Sequence, residues 1–308
     1  MSAGWVAGSV RARALARRRL GTSGTAALAR SPSLPVALST LSTTPYAREV
    51  HAGQDLAEAQ HAVAATLLWH VRVLAGWLPP EGAELMRVLT GYFEIANVDE
   101  LLQRRGDRTT EPEFHLGSLA TAWPQLSGAS SLPALRQRLA ESPWGDPGGD
   151  DPKHIQTGMR LAWAARVATA ASDAMASCAA GAAILVARER FASTGPAPSP
   201  ATLSRARPLI GAPALVAGSL PEYIRRLPRP ARWALTGVTE TSELWRAEAK
   251  WWARVSRDGF ALLARSGFTA APVLGALAVL AVDAWRVRAA LELAARGGGS
   301  LEVLDAVA

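Results

Sequence analysis

Five histidines, a pair of adjacent aspartates and one cysteine are the residues whose types suit metal, acid–base or nucleophilic chemistry. His51, His61, His70, His115 and His154 show no His-Glu-x-x-His or comparable ligand spacing. The nine-residue step from His61 to His70 does not set both imidazoles on one helix face within reach of a single ion. Asp150-Asp151 suits magnesium by type, but it lies in the Gly- and Pro-rich stretch GDPGGDDP, and no second acidic cluster shares the ion. Neither lysine, Lys153 nor Lys250, follows a Gly-x-x-x-x-Gly phosphate loop, and no Gly-x-Ser-x-Gly elbow occurs. No catalytic, cofactor-binding or metal-binding residue is therefore assigned, and no cofactor is expected. Cys178 sits in an alanine-rich run, where the expectation is a buried small hydrophobe rather than a thiolate.

The remaining polar residues of interest stand inside apolar helical patterns: Glu94 with Asn97, and Asp283 with Arg286. Each pair permits two readings. Either it satisfies local hydrogen bonds, or it faces outward to a partner.

These residues must be positioned by helices, because strands are hard to find. Residues 55–78 carry Leu56, Val63, Leu67, Val71, Leu74 and Leu78 at helical steps and stop at Pro79-Pro80. Residues 84–105 form a second helical block, closed by Gly106 at the C-cap position. Residues 159–191 are a third, rich in small residues, 241–265 a fourth with Trp245, Trp251 and Trp252, and 272–295 a fifth opened by proline. Residues 145–152 read as a tight loop and 195–213, with five prolines, as a long connector. The apolar runs 175–187 and 270–282 are interrupted by Arg188 and Asp283, short of the roughly 20 residues a membrane span needs, and read as buried helices.

Hydrophobic residues make up 49% of the 308 and aromatics only 6%, so alanine, leucine and valine dominate, which favours helix. A single cysteine excludes a disulfide framework and any cysteine-rich metal cluster. The formal charge of +7 is local: seven arginines (Arg11, Arg13, Arg17, Arg18, Arg19, Arg30 and Arg48) precede the first acidic residue, Glu49, and the other 26 basic residues match the 26 acidic ones. An organellar transit peptide would share this Arg-rich, acid-free character, but Trp5, Val6, Val10, Leu15 and Leu20 continue into the family resemblance given below. The basic arm either meets an anionic surface or is simply solvated.

An internal repeat links two distant segments. Residues 33–47 (SLPVALSTLSTTPYA) align without a gap on residues 131–145 (SLPALRQRLAESPWG), with Ser-Leu-Pro, Leu41 and Pro45 meeting identical residues and Tyr46 meeting Trp144. The expected unit is a short helix begun by Ser-Leu-Pro and ended by Thr/Ser-Pro-aromatic, the ring folding back on neighbouring helices.

Several of these motifs, in this order, resemble the C/d subunit family of V-type and archaeal A-type rotary ATPases. They are Trp5 with Arg11-Ala12-Arg13-Ala14; Thr44-Pro45-Tyr46 and its echo Pro143-Trp144; Glu94, Asn97, Leu101 and Leu102 in YFEIANVDELLQRR; and Pro272, Asp283, Arg286 and Leu291 near the C-terminus. Arg286 stands where Asn97 stands in the earlier block, and the middle block, 173–190, keeps little of the pattern. The resemblance implies an all-α fold of three pseudo-repeated helical units, forming a funnel about a pseudo-threefold axis. Residues 1–106, 107–213 and 214–308 are the units expected. It implies a non-catalytic rotor subunit of a bacterial assembly, peripheral on the cytoplasmic face of the membrane, that links the central shaft to the proteolipid ring for proton or sodium transport. Arg17, Arg18, Arg19, Glu94, Asn97, Asp283 and Arg286 are then the candidate partner-interface residues, while Arg11, Arg13, Thr44, Pro45, Tyr46, Pro143, Trp144, Leu101 and Leu102 carry the family motifs. No small-molecule substrate and no nucleic acid is expected. The alternative is a helical nucleic-acid-binding protein that uses the arginine-rich arm.

Overall fold

The structure, a computed structural model, describes residues 2–105, 111–195 and 197–301. No strand occurs among the described residues; the protein is all-α. In chain order the helices are α1 (Ala3–Ala16), α2 (Gly21–Ala29), α3 (Leu34–Leu41), α4 (Leu56–Ala75), α5 (Pro80–Leu89), α6 (Gly91–Arg105), α7 (Trp123–Leu126), α8 (Leu132–Ala140), α9 (Pro152–Ala170), α10 (Met175–Ala187), α11 (Pro200–Ser204), α12 (Arg207–Ile210), α13 (Ala212–Leu215), α14 (Leu220–Arg226), α15 (Arg229–Arg232), α16 (Leu244–Ala264) and α17 (Ala270–Ala295).

Local chemistry explains most boundaries. Asp55 and Glu58 form a reciprocal capping box at the start of α4. Asp151, at the end of the Gly- and Pro-rich loop, caps α9 by accepting the N–H groups of Lys153 and His154. Thr269 caps α17, which starts at Ala270, two residues ahead of the expected Pro272. Three expected features differ. The block 84–105 is two helices, broken at Thr90, and its expected Gly106 cap lies outside the described residues. The block 159–191 breaks at Ala171, whose backbone is extended (φ −139°, ψ 91°), and ends in a π turn over Arg188–Ala192. From residue 200 on the connector 195–213 is helical: α11, α12 and α13 carry Pro200, Pro208 and Pro213 in their first two positions, where a missing N–H costs nothing.

The chain divides into two compact units, Met1–Met86 with Trp252–Ala308, and Arg87–Trp251. It passes between them within α5 and within α16. In the first unit α17 is the central element, and Leu28, Leu38, Leu41, Val63, Val287 and Leu291 build the core around it. Helices α16 and α17 meet at two glycines; a Cβ on Gly275 would stand 2.5 Å from the Gly259 carbonyl oxygen, so only glycine allows this approach. Asp283 interrupts the apolar run but not the helix: α17 carries through it, as the expected block 272–295 required. It continues to 26 residues, long and apolar enough to cross a membrane by length and composition, with 67% of its most apolar window buried in the protein.

In the second unit the small residues of α10 (Ala179, Ala180, Ala183 and Ala187) are completely enclosed among Tyr223, Leu227 and Leu235. Trp251 donates its indole N–H to the Ser177 carbonyl at 2.7 Å. Cys178 is half-buried, and burial pushes its thiol up to about 12.

Candidate functional site

The two repeated segments share one construction, centred on a buried carboxylate. In the first unit α3 begins at Ser33 and ends at Leu41; Thr44 then donates its hydroxyl to the Leu41 carbonyl (2.7 Å) and accepts the Tyr46 N–H (3.2 Å). In the second unit α8 begins at Ser131, and Ser142 makes the same pair, to Leu139 O (2.8 Å) and from Trp144 N–H (3.1 Å). The proline that follows each hydroxyl cannot continue the helix, so the aromatic turns inward. Tyr46 is 6% exposed and Trp144 only 1%.

Each aromatic ends on a carboxylate borne by a longer helix. The Tyr46 hydroxyl donates to Asp283 Oδ2 of α17 at 2.9 Å, and the Trp144 indole N–H donates to Glu94 Oε1 of α6 at 2.6 Å. The same carboxylates hold the start of the preceding helix. Asp283 accepts the backbone N–H groups of Leu20 (2.9 Å) and Gly21 (2.7 Å) at α2, while Glu94 accepts those of Thr121 (2.6 Å) and Ala122 (2.8 Å) at α7. Helix N-termini leave N–H groups without partners and carry partial positive charge, so a carboxylate satisfies both needs at once. Burial, the Asp283 charge and the hydrogen bond together raise the Tyr46 hydroxyl well above its usual range, keeping it a donor. Behind Trp144, the Arg166 guanidinium lies 5.0 Å from the ring centre; burial lowers its pKa and the nearby Glu94 opposes that shift.

A third segment of the kind lies at Ser219-Leu220-Pro221, which opens α14 with the same extended cap (ψ 159°, against 160° at Ser33 and 167° at Ser131). Eight residues beyond each serine stands a completely buried leucine: Leu41, Leu139 and Leu227. Pro230 replaces the hydroxyl residue, and the Arg232 guanidinium takes over the Leu227 carbonyl, at 3.0 and 2.6 Å. The anchoring charge is reversed. Arg190, in the π turn that follows α10, donates to the carbonyls of Leu215 (3.0 Å) and Ala217 (2.6 Å) at the end of α13. A cation at a helix C-terminus is the counterpart of a carboxylate at an N-terminus. This third segment escaped the sequence reading although the Ser-Leu-Pro tripeptide and the leucine eight residues on were both present. The missing Thr/Ser-Pro-aromatic stop hid it.

The predicted interface residues fall into two groups. Glu94, Asn97 and Asp283 are 1%, 0% and 3% exposed and are spent on internal bonds, so none offers a surface to a partner. Asn97 pairs with both backbone groups of Phe114, at 3.0 and 2.7 Å. Arg286 reaches the Thr25 hydroxyl at 3.3 Å. Arg17 and Arg18 are exposed, whereas Arg19 lies over the Phe260 ring, 4.9 Å from its centre. Among the motif residues, Arg13 donates to the Leu263, Arg265 and Gly267 carbonyls and so closes the end of α16. Leu102 is buried, Leu101 half-buried, and Pro45 and Pro143 sit at the turns themselves. Trp252 stacks on Trp285 at 5.2 Å, and Trp245 is 40% exposed.

Two further sites have polar residues in reach of one another. His154 Nδ1 faces the Asp151 carboxylate, while its Nε2 accepts the Ser199 N–H at 2.9 Å. Because that nitrogen is occupied by a backbone donor, the Ser-His-Asp set holds a loop and does not activate a hydroxyl. His70 is 6% exposed, and its Nδ1 has no hydrogen-bond partner; burial first, then the charges of Arg18, Arg11 and Arg48, lower it to about 4. No group of three or more His, Cys, Asp or Glu side chains fit to hold a metal occurs among the described residues. A scan of protein-family models finds none that matches the chain, and a search of curated proteins finds no match.

Proposed function

We propose that this chain is a non-catalytic rotor subunit of a bacterial V/A-type ATPase, coupling the central shaft to the membrane proteolipid ring. The carrying observation is the order of its anchored segments. Ser33, Ser131 and Ser219 each open a short helical segment, tied by Tyr46 to α17, by Trp144 to α6 and by Tyr223 to α10 respectively, and each is followed in the chain by a long helix, α4, α9 or α16. The anchoring helix precedes its segment in the second and third cases, but the first segment is held by the last helix of the chain. That cyclic order supports the reading of three related segments that the resemblance implies. Internal polar bonds on these anchored segments favour a stiff part over a moving one, and close-packed interiors transmit force with little compression. Such a part works by shape and needs no reactive pocket. On this reading it lies at the cytoplasmic membrane face, with shaft and ring as partners and without cofactor or nucleic acid.

Affinity purification of the tagged chain from its host, after mild detergent extraction, tests the reading. Catalytic ATPase subunits and a multispan ring protein are expected in stoichiometric amounts. Recovery of the chain without either overturns it.

A further inference from the structure

We propose that the outer face of α1 docks on the surface of an anionic phospholipid bilayer. The inner face of α1 is fully committed: Gly8, Ala12, Leu15 and Ala16 are buried. Its outer face carries Val6, Val10 and Ala14 at successive four-residue steps, with Val6 36% and Val10 57% exposed, so an apolar stripe runs along the helix in contact with water. Arg17 and Arg18 extend this stripe, both exposed. Arg19 lies over Phe260, itself 42% exposed, which adds an aromatic ring to the same end of α1. At the other end, α1 packs on the turn that follows α4; that turn carries Trp77, 52% exposed.

The charge of this region is one-sided. No acidic residue occurs before Glu49, and Glu49 is paired with Arg48 at 3.1 Å, while Glu81 accepts the Trp5 indole N–H at 3.0 Å. Arg11 and Arg18, seven residues apart on one side of α1, together with Arg48, place a positive field on His70. Apolar side chains with an arginine margin and exposed aromatic rings match the boundary between headgroups and acyl chains, where valine and tryptophan enter and arginines meet phosphate. A nucleic-acid backbone would use the arginines alone and leave the valines in water. The inference goes beyond the rotor reading and does not require it: ring association and lipid binding can fail separately.

The purified full chain is floated with vesicles of phosphatidylcholine alone and of phosphatidylcholine mixed with phosphatidylglycerol. Binding only to the anionic vesicles, weakened by salt, is expected. The double variant Arg17→Glu/Arg18→Glu should lower the partition coefficient by about 25-fold or more, at roughly five-fold per arginine. Val10→Asp should also weaken binding several-fold while leaving the salt dependence in place. Both changes are at exposed positions, and unchanged helix content by circular dichroism confirms that each variant is folded. No binding to anionic vesicles overturns the proposal, as does binding that neither variant alters. Duplex DNA binding lost in the arginine variant, with Val10→Asp neutral in both assays, would assign the face to nucleic acid instead.

Discussion

The segment opened by Ser131 follows a helix start held by a carboxylate, and the segment opened by Ser219 follows a helix end held by a guanidinium. Both lie in the same unit, both begin with Ser-Leu-Pro, and both bury a leucine eight residues on. What differs is the helix end that each long helix must satisfy. Glu94 meets two N–H groups at the start of α7, and Arg190 meets carbonyls at the end of α13. The sign of the buried charge follows the sign of the helix terminus, so the shared feature is the satisfied terminus and not a particular residue. The first unit repeats the carboxylate version with Asp283, one methylene shorter, facing α2, which spans nine residues where α7 spans four.

The contrast is broken most forcefully by removing the charges. Glu94→Ala strands two backbone donors and the Trp144 indole in a dry site, and Asp283→Ala strands two donors and the Tyr46 hydroxyl. Each should cost about 3–5 kcal/mol. Arg190→Ala should cost less, about 1–3 kcal/mol, because the guanidinium is only half-buried. Urea denaturation of the full chain gives the losses. Amide exchange at Thr121 and Ala122 in Glu94→Ala, and at Leu20 and Gly21 in Asp283→Ala, localises them. Equal losses at all three positions would erase the distinction drawn between the two kinds of anchor.

How far all this was legible varies residue by residue. The helical character followed from alanine content and periodicity, and the first two short helices from Ser-Leu-Pro and Thr/Ser-Pro-aromatic, because proline effects are local and act through fixed dihedrals. The role of Glu94 and Asp283 was legible only as a choice between internal support and an outward contact. Which one applies depends on backbone groups 27 and 263 residues away, and no window along the chain contains both ends. The Pro-rich stretch 195–213 misled for a different reason. Clustered prolines read as helix breakers, yet Pro200, Pro208 and Pro213 each stand in the first turn of a short helix. Arg190 gave no signal at all, since the value of a cation there exists only once α13 ends beside it.

Within the first unit, Asp283 and His70 give a second contrast: a buried titratable group with every partner in place, and one whose Nδ1 has none. His70 is held near 4 in the folded protein against an ordinary value of 6.5. The folded state therefore binds the proton less readily than the unfolded chain. Stability contributed by the neutral imidazole is complete above about pH 6.5 and declines as the pH falls toward 4, by about 3 kcal/mol in total. Replacement by leucine removes the titration. Denaturation midpoints of the wild type and His70→Leu should diverge between pH 7 and pH 4.5, with the wild type losing more. Parallel curves would show that this imidazole does not titrate across the unfolding transition.

The finest test concerns the two hydroxyls, which perform the same task on either side of the unit boundary. Thr44 and Ser142 each tie a carbonyl at the end of a short helix to the aromatic N–H two residues on, with distances that agree to within 0.1 Å (2.7 and 3.2 Å against 2.8 and 3.1 Å). Alanine at either position should cost about 1 kcal/mol, the typical value of such a cap. The two losses should match despite the different neighbours, because both hydroxyls act on their own turn alone. Pro230, the corresponding residue of the third segment, has no hydroxyl to lose, and there the Arg232 guanidinium holds the Leu227 carbonyl. Pro230→Ala should therefore change stability by less than either hydroxyl deletion, while Arg232→Ala should approach them. Denaturant midpoints for the four variants give the order directly. A Pro230→Ala loss as large as that of Thr44→Ala would mean that the proline ring, and not the hydrogen bond, ends these helices.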